Sequence, residues 1–270
     1  MEQPGAWGPD ALTGSALPPE VAARLQTLAR SLPARVLLLR RASIAARARA
    51  DERRSLFVGW TTPAGGWLEH LALDDARDLL AVDLTPLAEG RSVGGQPVTA
   101  PLYLVCTNGR HDPCCAEYGR PVAHALAEVV GQRLWECSHV GGDRFAGNLV
   151  CLPDGVFYGH LDPVTALRAV AAHEDRRLLL DHWRGTSALP FVVQAAEAFV
   201  RTELDQDRLA AVRFLRTDRV GEHHRVRFEL ADGSRVDALV AVSQREVPAG
   251  MTCAGTGQRA PHYELLALER

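Results

Sequence analysis

The chain has 270 residues, of which 30 are basic and 33 acidic, for a net charge of −3. A chain of this length forms two domains or one large one. The near-neutral charge gives no overall attraction to nucleic acid, and no run approaches the about 18 continuous apolar residues of a membrane span. The first residues lack the basic and apolar regions of a secretory signal. We therefore expect a cytoplasmic globular protein with no nucleic-acid or membrane partner.

Residues 1–98 are expected to form an N-terminal α/β domain. The apolar spacing of Pro18–Ser31, with Pro near its start, predicts a helix. Two short apolar runs, Arg35–Arg40 and Leu56–Thr61, predict strands. The Arg-rich stretch Ser43–Arg54 between them has no apolar stripe and predicts an exposed hairpin or loop.

Two further features end this first domain. Trp67–Ala81 predicts a strand and then a short helix, opened by Asp74 and Asp75. Leu84–Ala100 is rich in Gly and Pro and is the best candidate for a linker to the next domain.

Residues 99–186 are expected to form a second domain with the element order β-α-β-loop-β-β-α, as in a thioredoxin-like core. The predicted elements are strand Pro101–Cys106, helix Arg120–Val130, strand Arg133–Cys137, the Gly-rich loop Ser138–Gly147, strands Asn148–Pro153 and Val156–His160, and helix Pro163–Trp183 with Asp162 as its N-cap. The two loops that follow the first and second strands are expected at the same end of the sheet.

Residues 187–270 are expected to form a C-terminal α+β subdomain. Its predicted elements are helix Pro190–Leu204 and strands Ala211–Thr217, His223–Leu230, Ser234–Val242 and Tyr263–Leu268. Asp232-Gly233 predicts a hairpin turn between two of these strands. The predicted fold class is therefore α/β plus α+β.

Five of the six cysteines lie within 46 residues. In a chain of this size without a secretory signal, such clustering favours metal or redox chemistry over structural disulfides. The chemistry-bearing side chains of the two loops are Cys106, Cys114, Cys115, Cys137, His139 and Asp143. Thiolate and imidazole are the ligands that iron–sulfur clusters and zinc favour. Gly109, Gly141 and Gly142 allow the backbone to approach a bound group closely.

The cysteines differ in how well a simple packing role explains them. Cys151, inside an apolar strand, is expected to be a small buried hydrophobe, and a packing role is also favoured for Cys137 at a strand end. Cys106 and the Cys114–Cys115 pair border a polar Gly/Asp/Pro segment, where packing explains little. Cys253, in a C-terminal loop, is expected to pack.

Two segments of the chain resemble the sucrase/ferredoxin-like family: LYLVCTNGRHDPCCAEYGRPVAHAL and WECSHVGGDRFAGNLVCLPDGVFYG. GAWGPDAL near the N-terminus and the MTC loop near the C-terminus are similar to that family as well. The resemblance covers most of the chain and is densest over residues 102–163. It implies a thioredoxin-like [2Fe–2S] ferredoxin domain at residues 99–186, flanked by the N-terminal and C-terminal segments.

The resemblance also implies a ligand set. Family members hold the cluster with two Cys separated by eight residues and two His separated by three, which correspond here to Cys106, Cys115 and His139. The position of the second His holds Asp143, a harder ligand. The fourth ligand therefore stays open between Asp143, Cys114 and Cys137.

The expected function is one-electron transfer between redox protein partners, a reductase or an acceptor enzyme, rather than catalysis. Three alternatives remain: a thiol–disulfide oxidoreductase using the clustered cysteines, a zinc site, and a binding module without a cluster. No paired carboxylates suggest a glycosidase. If His139 is a ligand, its free nitrogen is expected to make the reduction potential pH-dependent.

Overall fold

The computed structural model describes residues 1–42, 53–247, 250–252, 255 and 257–270. The predicted Arg-rich loop Ser43–Arg54 falls mostly outside these residues, and Cys253 lies outside them too. Within the described ranges the chain is a mixed α/β protein with four α-helices and thirteen strands in three sheets. None of the described helices is both long and apolar enough to cross a membrane.

The described elements are numbered in chain order. The helices are α1 (Pro19–Ser31), α2 (Pro113–Val130), α3 (Pro163–Glu174) and α4 (Phe191–Glu203). The strands are β1 (Leu39–Arg41), β2 (Arg54–Thr62), β3 (Gly65–Leu73), β4 (Gln96–Pro97), β5 (Leu102–Cys106), β6 (Leu134–Cys137), β7 (Leu149–Leu152), β8 (Val156–Tyr158), β9 (Trp183–Thr186), β10 (Val212–Val220), β11 (His223–Leu230), β12 (Arg235–Val247) and β13 (Gln258–Glu269).

The central sheet has six strands in the order β1-β6-β5-β7-β8-β9. Strands β5 and β6 run parallel and are joined by α2, whereas the other neighbouring pairs are antiparallel. All five residues of β5 are buried. Helices α2 and α3 cover one face of the sheet, and Phe57 of β2 and Leu68 of β3 pack on the other face. This explains the continuous apolar run in the sequence.

The other two sheets flank this centre. The N-terminal sheet has the order β2-β3-β4, and its residues form a core with α1. The C-terminal sheet has the order β10-β11-β12-β13 and packs against α4 through a buried apolar cluster. Strand β1, from the first predicted domain, is an edge strand of the central sheet. The domain boundaries at residues 98 and 186 stay a prediction.

Helix α2 begins earlier than predicted, and this changes the setting of two cysteines. The predicted start at Arg120 was wrong: Asp112 caps the helix by accepting the Cys114 N–H at 3.2 Å, and Pro113 opens it. Pro121, the second residue of the helix predicted from the sequence, lies inside the observed helix. Cys114 and Cys115 therefore belong to a helical first turn rather than to a loop.

Other predicted boundaries were wrong too: predicted strand Ser234–Val242 continues to Val247, and predicted strand Tyr263–Leu268 begins at Gln258. Helix α3 ends at Glu174 rather than Trp183, because Arg176 adopts a left-handed φ of 56°, and Trp183 instead opens β9. The predicted linker contains a 3-10 helix (Thr85–Glu89) and β4, so part of it belongs to the N-terminal sheet. The predicted strand Arg35–Arg40 is reduced to β1. The Asp162 cap and the hairpin turn at Asp232-Gly233 are confirmed.

Candidate metal centre

Cys106 and Cys137 end two neighbouring parallel strands and are register partners between β5 and β6. Parallel strands that end together send their following loops out from the same edge of the sheet. The loop after β5 and the loop after β6 therefore leave side by side, as the sequence predicted. This edge is the location of the candidate centre.

The loop after β5 leads into α2, and α2 packs back against the end of β5 near Cys106. The buried side chain of Asn108 donates to the carbonyl of Gly8 at 3.1 Å, which anchors the loop to the N-terminal segment. Further along α2, a Cβ at Gly119 would collide with the carbonyl oxygen of Cys106. Glycine at this position therefore lets the helix pack directly against the end of β5, which brings Cys115 beside Cys106.

The predicted Gly109 has a related role. A Cβ added at Gly109 would lie 2.6 Å from the Cβ of Ala116, one turn into α2. The absence of a side chain therefore allows the loop to lie close against its own helix. Gly109 serves loop packing here, and its φ is not in the left-handed region.

The loop after β6 contains two successive residues in the left-handed region, Gly141 with φ 88° and Gly142 with φ 78°. Only glycine adopts this conformation without steric cost. The turn that they make folds Asp143 back over His139, so that Oδ1 of Asp143 lies 3.0 Å from Nδ1 of His139. These glycines thus set the geometry of the two predicted ligands that flank them.

Three of the predicted ligands converge. The donor atoms of Cys106, Cys115 and His139 all lie within 4.8 Å of one another. Sγ of Cys115 is 3.8 Å from Nδ1 of His139 and 3.6 Å from Oδ1 of Asp143. Both cysteines are 1% exposed. The structure therefore brings Cys106, Cys115, His139 and Asp143 into one buried cluster.

A second donor set overlaps the first and includes a residue that sequence reasoning missed. His111, His139 and Asp143 also have donor atoms within 4.8 Å of one another. The imidazole of His111 stacks on that of His139, with centroids 3.8 Å apart and planes at 15°, and its Nε2 lies 4.0 Å from Oδ2 of Asp143. The signal was present in the sequence, since His111 stands between the two predicted thiol ligands.

The two thiols of the cluster differ sharply in acidity. A hydrogen bond from Cys115 is the main cause that lowers the pKa of Cys106 to about 5. Burial opposes this shift, while His139 and the backbone N–H groups of Asn108 and Val140 support it. The neighbouring Cys106 thiolate and burial raise the pKa of Cys115. Of the two thiols, Cys106 is therefore the one that loses its proton more readily.

Cationic side chains surround the second loop. Arg184 donates from Nη1 to Oδ1 of Asn148 at 2.6 Å and to the carbonyl of Gly141 at 3.4 Å. Burial, with the nearby Arg144 and Arg35, lowers its pKa to about 10, so Arg184 stays charged at neutral pH. These guanidinium groups offset negative charge on the donor cluster.

The other three cysteines of the described residues lie near the cluster or in the core, outside both donor sets. Cys114, on the first turn of α2, donates from Sγ to the carbonyl oxygen of Asp143 at 3.3 Å. Cys137 is fully buried in an apolar cluster, and this burial raises its pKa. Cys151 lies in the central core, where burial likewise raises its pKa. The five cysteines of the described residues, from Cys106 to Cys151, are all free thiols.

The donor chemistry fits a transition metal. Two thiols and two imidazoles are soft or intermediate ligands, which suit zinc and iron–sulfur centres better than calcium or magnesium. The one carboxylate, Asp143, is a harder ligand. The lowered pKa of Cys106 reduces the competition from protons for the metal. The arrangement can hold a metal between the two loops.

One comparison with known proteins gives a family match. A family model described as Sucrase/ferredoxin-like matches residues 5–185. The chain belongs to the sucrase/ferredoxin-like family. The match spans both loops of the candidate centre and the N-terminal segment that contacts the first of them. No curated protein and no solved structure matches the chain significantly.

Proposed function

We propose that this sucrase/ferredoxin-like protein is a one-electron carrier with a [2Fe–2S] cluster held by mixed cysteine and histidine ligands. The observation that carries the proposal is the pair of overlapping donor sets that share His139. Together the sets contain five donor groups, one more than a single tetrahedral ion takes. A two-iron cluster needs two ligands on each iron.

Different residues of the chain would bind the two irons of the cluster. Cys106 and Cys115 would hold one iron, and His139 with one further group would hold the other. When bound, a [2Fe–2S] cluster supplies one-electron transfer. Imidazole ligands carry less negative charge than thiolates and therefore raise the reduction potential. The positive charges of the arginines around Gly141 also stabilise an added electron and raise the potential further.

We include a thioredoxin-like arrangement of residues 99–186 in this proposal. Within the central sheet, the strands β6-β5-β7-β8 have a parallel pair followed by two antiparallel strands. The cluster would lie where the first strand of such a core meets its helix. This order supports the assignment made from the sequence.

The partner we propose is a redox protein on each side of the transfer. One electron enters from a donor protein, which is oxidised, and leaves to an acceptor protein, which is reduced. The side chains of His111 and His139 are 36% and 18% exposed, whereas the two cysteines are buried. The histidine side of the centre is therefore the side that a partner reaches. A cytoplasmic location stays a prediction.

A zinc site is the second candidate, and the compactness of the donors favours it. Bonds of 2.0–2.3 Å to a tetrahedral ion place donor atoms about 3.3–3.8 Å apart. The distances from Cys115 Sγ to His139 and Asp143 are 3.8 and 3.6 Å. A thiol–disulfide oxidoreductase is disfavoured, since the low-pKa Cys106 is 1% exposed and has little access to a substrate disulfide.

Metal analysis separates these candidates. We expect anaerobically purified protein to contain two irons and two acid-labile sulfides per chain, and Cys106→Ser and Cys115→Ser to lose most of both. Cys151→Ala, which removes a core thiol away from the loops, serves as the matched control and is expected to keep the metal. One zinc per chain in place of iron and sulfide would replace the first candidate by the second.

A further inference from the structure

His111 makes a hydrogen bond that defines which of its nitrogens carries a proton. Its Nδ1 lies 2.9 Å from the carbonyl oxygen of Pro9. A carbonyl only accepts hydrogen bonds, so Nδ1 must be the donor. In the neutral imidazole, Nε2 is then left with a free lone pair.

Nε2 of His111 faces the carboxylate of Asp143. Nε2 of His111 lies 4.0 Å from Oδ2 of Asp143, a separation too long for a direct hydrogen bond. Two lone pairs at this distance do not attract each other, but a cation in contact with both would join them. The stacked ring of His139 presents Nδ1 to the same carboxylate, 3.0 Å from Oδ1.

The backbone contact of His111 is typical of a metal ligand. Histidines that bind metals almost always donate their second ring N–H to a carboxylate, a backbone carbonyl or water, which fixes the tautomer and the ring orientation. Here two nearby carbonyls of the N-terminal segment hold the first loop, since Gly8 accepts from Asn108 and Pro9 accepts from His111. The segment therefore orients the imidazole toward Asp143.

We propose that His111 is a metal ligand through Nε2 and completes the centre beside His139. The family resemblance assigns no role to this residue; it places the second histidine at the position of Asp143. His111 restores a second imidazole from the other loop. The inference rests on the proposed metal centre.

The test uses the purified protein and, separately, metal-free protein titrated with Co²⁺ alone. In pulsed EPR of the reduced protein, we expect nitrogen couplings from two imidazoles in the wild type and from one in His111→Gln. In the Co²⁺ titration, we expect His111→Gln to bind at least about tenfold more weakly. His124→Gln, at an exposed position of α2, is the matched control and is expected to match the wild type in both measurements.

A gain-of-signal variant keeps the test decisive if His111→Gln folds poorly. In His111→Cys, a ligand at this position adds a thiolate-to-cobalt absorption band, which a residue with only a packing role would not produce. Unchanged nitrogen couplings and Co²⁺ affinity in His111→Gln, or no added band in His111→Cys, would overturn the inference. Zinc in the purified protein would contradict the proposed electron carrier, while the Co²⁺ measurements would still decide the role of His111.

Discussion

Arg184 and Asn148 form a side-chain hydrogen bond of 2.6 Å, and this pair holds the Gly141–Gly142 turn of the second loop. Asn148 in turn donates a hydrogen bond from Nδ2 to the carbonyl of Gly142 at 3.2 Å. Arg184 lies on β9, at the far edge of the central sheet. The turn that brings Asp143 over His139 is therefore supported by a strand outside the two cysteine-bearing loops.

Arg184→Ala is expected to weaken metal binding without removing a ligand. The substitution leaves Oδ1 of Asn148 without this donor and frees the Gly141–Gly142 turn to move. Loss of such an outer partner typically lowers metal affinity by about 10- to 100-fold. Competition titration of metal-free protein with Zn²⁺ measures the change. Arg168→Ala, at an exposed position of α3, is the control, and equal affinities of the two variants would contradict the supporting role.

Cys115→Ala is expected to raise the pKa of Cys106. The hydrogen bond from Cys115 is the main cause that lowers this pKa to about 5, and alanine offers no donor. The ultraviolet absorbance of the thiolate, followed against pH in metal-free protein, reports the titration. Burial raises the pKa of Cys151, so this thiol does not contribute to the titration near pH 5. Cys151→Ala is therefore expected to leave the titration curve unchanged. A thiolate that still titrates near pH 5 in Cys115→Ala would show that other contacts stabilise it.

The reduction potential is expected to fall as the pH rises. A ligating imidazole with a titratable second nitrogen binds its proton more tightly after reduction, because the added electron increases the negative charge. Between the pKa of the oxidised form and the higher pKa of the reduced form, the slope approaches about 59 mV per pH unit for one electron and one proton. Potentiometric titration between about pH 6 and 9 covers the ordinary range of histidine. A constant potential over this range would argue against His139 as a ligand.

Asp154 provides a test of the fold away from the metal. Burial by itself raises the pKa of Asp154, but the His173 imidazole, with Nε2 3.1 Å from Oδ2, and a hydrogen bond from Arg176 at 2.7 Å outweigh it and lower the pKa to about 2. The folded-state pKa lies below the unfolded value of about 3.9. The stabilisation is therefore complete above that value and is lost as the pH falls through the folded pKa.

Asp154→Asn is accordingly expected to lower the free energy of unfolding by about 2 kcal/mol at neutral pH. It is also expected to reduce the loss of stability in acid. Urea denaturation at neutral pH and near pH 3 measures both effects. Asp181→Asn, which changes an exposed carboxylate, is the control. Unfolding curves for Asp154→Asn that coincide with those of the wild type at both pH values would contradict this account.

The sequence predicted the elements whose signals are local. The apolar run of β5, the Asp-Gly hairpin and the Asp162 cap each depend on residues within a few positions of one another. The start of α2 carried a local signal too, in Asp112-Pro113, but Pro121 offered a competing start. Contact with β5 through Gly119 stabilises the longer helix, and this contact is not visible in the sequence.

The site was predicted only as far as its spacing allowed. Cys106, Cys115 and His139 follow from two loops at one sheet edge and from the family resemblance. His111 is oriented by its hydrogen bond to the carbonyl of Pro9. Pro9 lies 102 residues earlier in the chain, in the N-terminal segment and outside both loops. A contact of that kind depends on tertiary packing, so spacing alone did not single out His111.

EPR spectroscopy of the chemically reduced protein, with iron and sulfide counted on the same sample, tests the central claim most directly. We predict a coloured protein that gains one unpaired electron per two irons on reduction and shows nitrogen coupling from histidine. A colourless protein that contains zinc, or an iron centre without nitrogen coupling, would contradict a [2Fe–2S] electron carrier with mixed cysteine and histidine ligands.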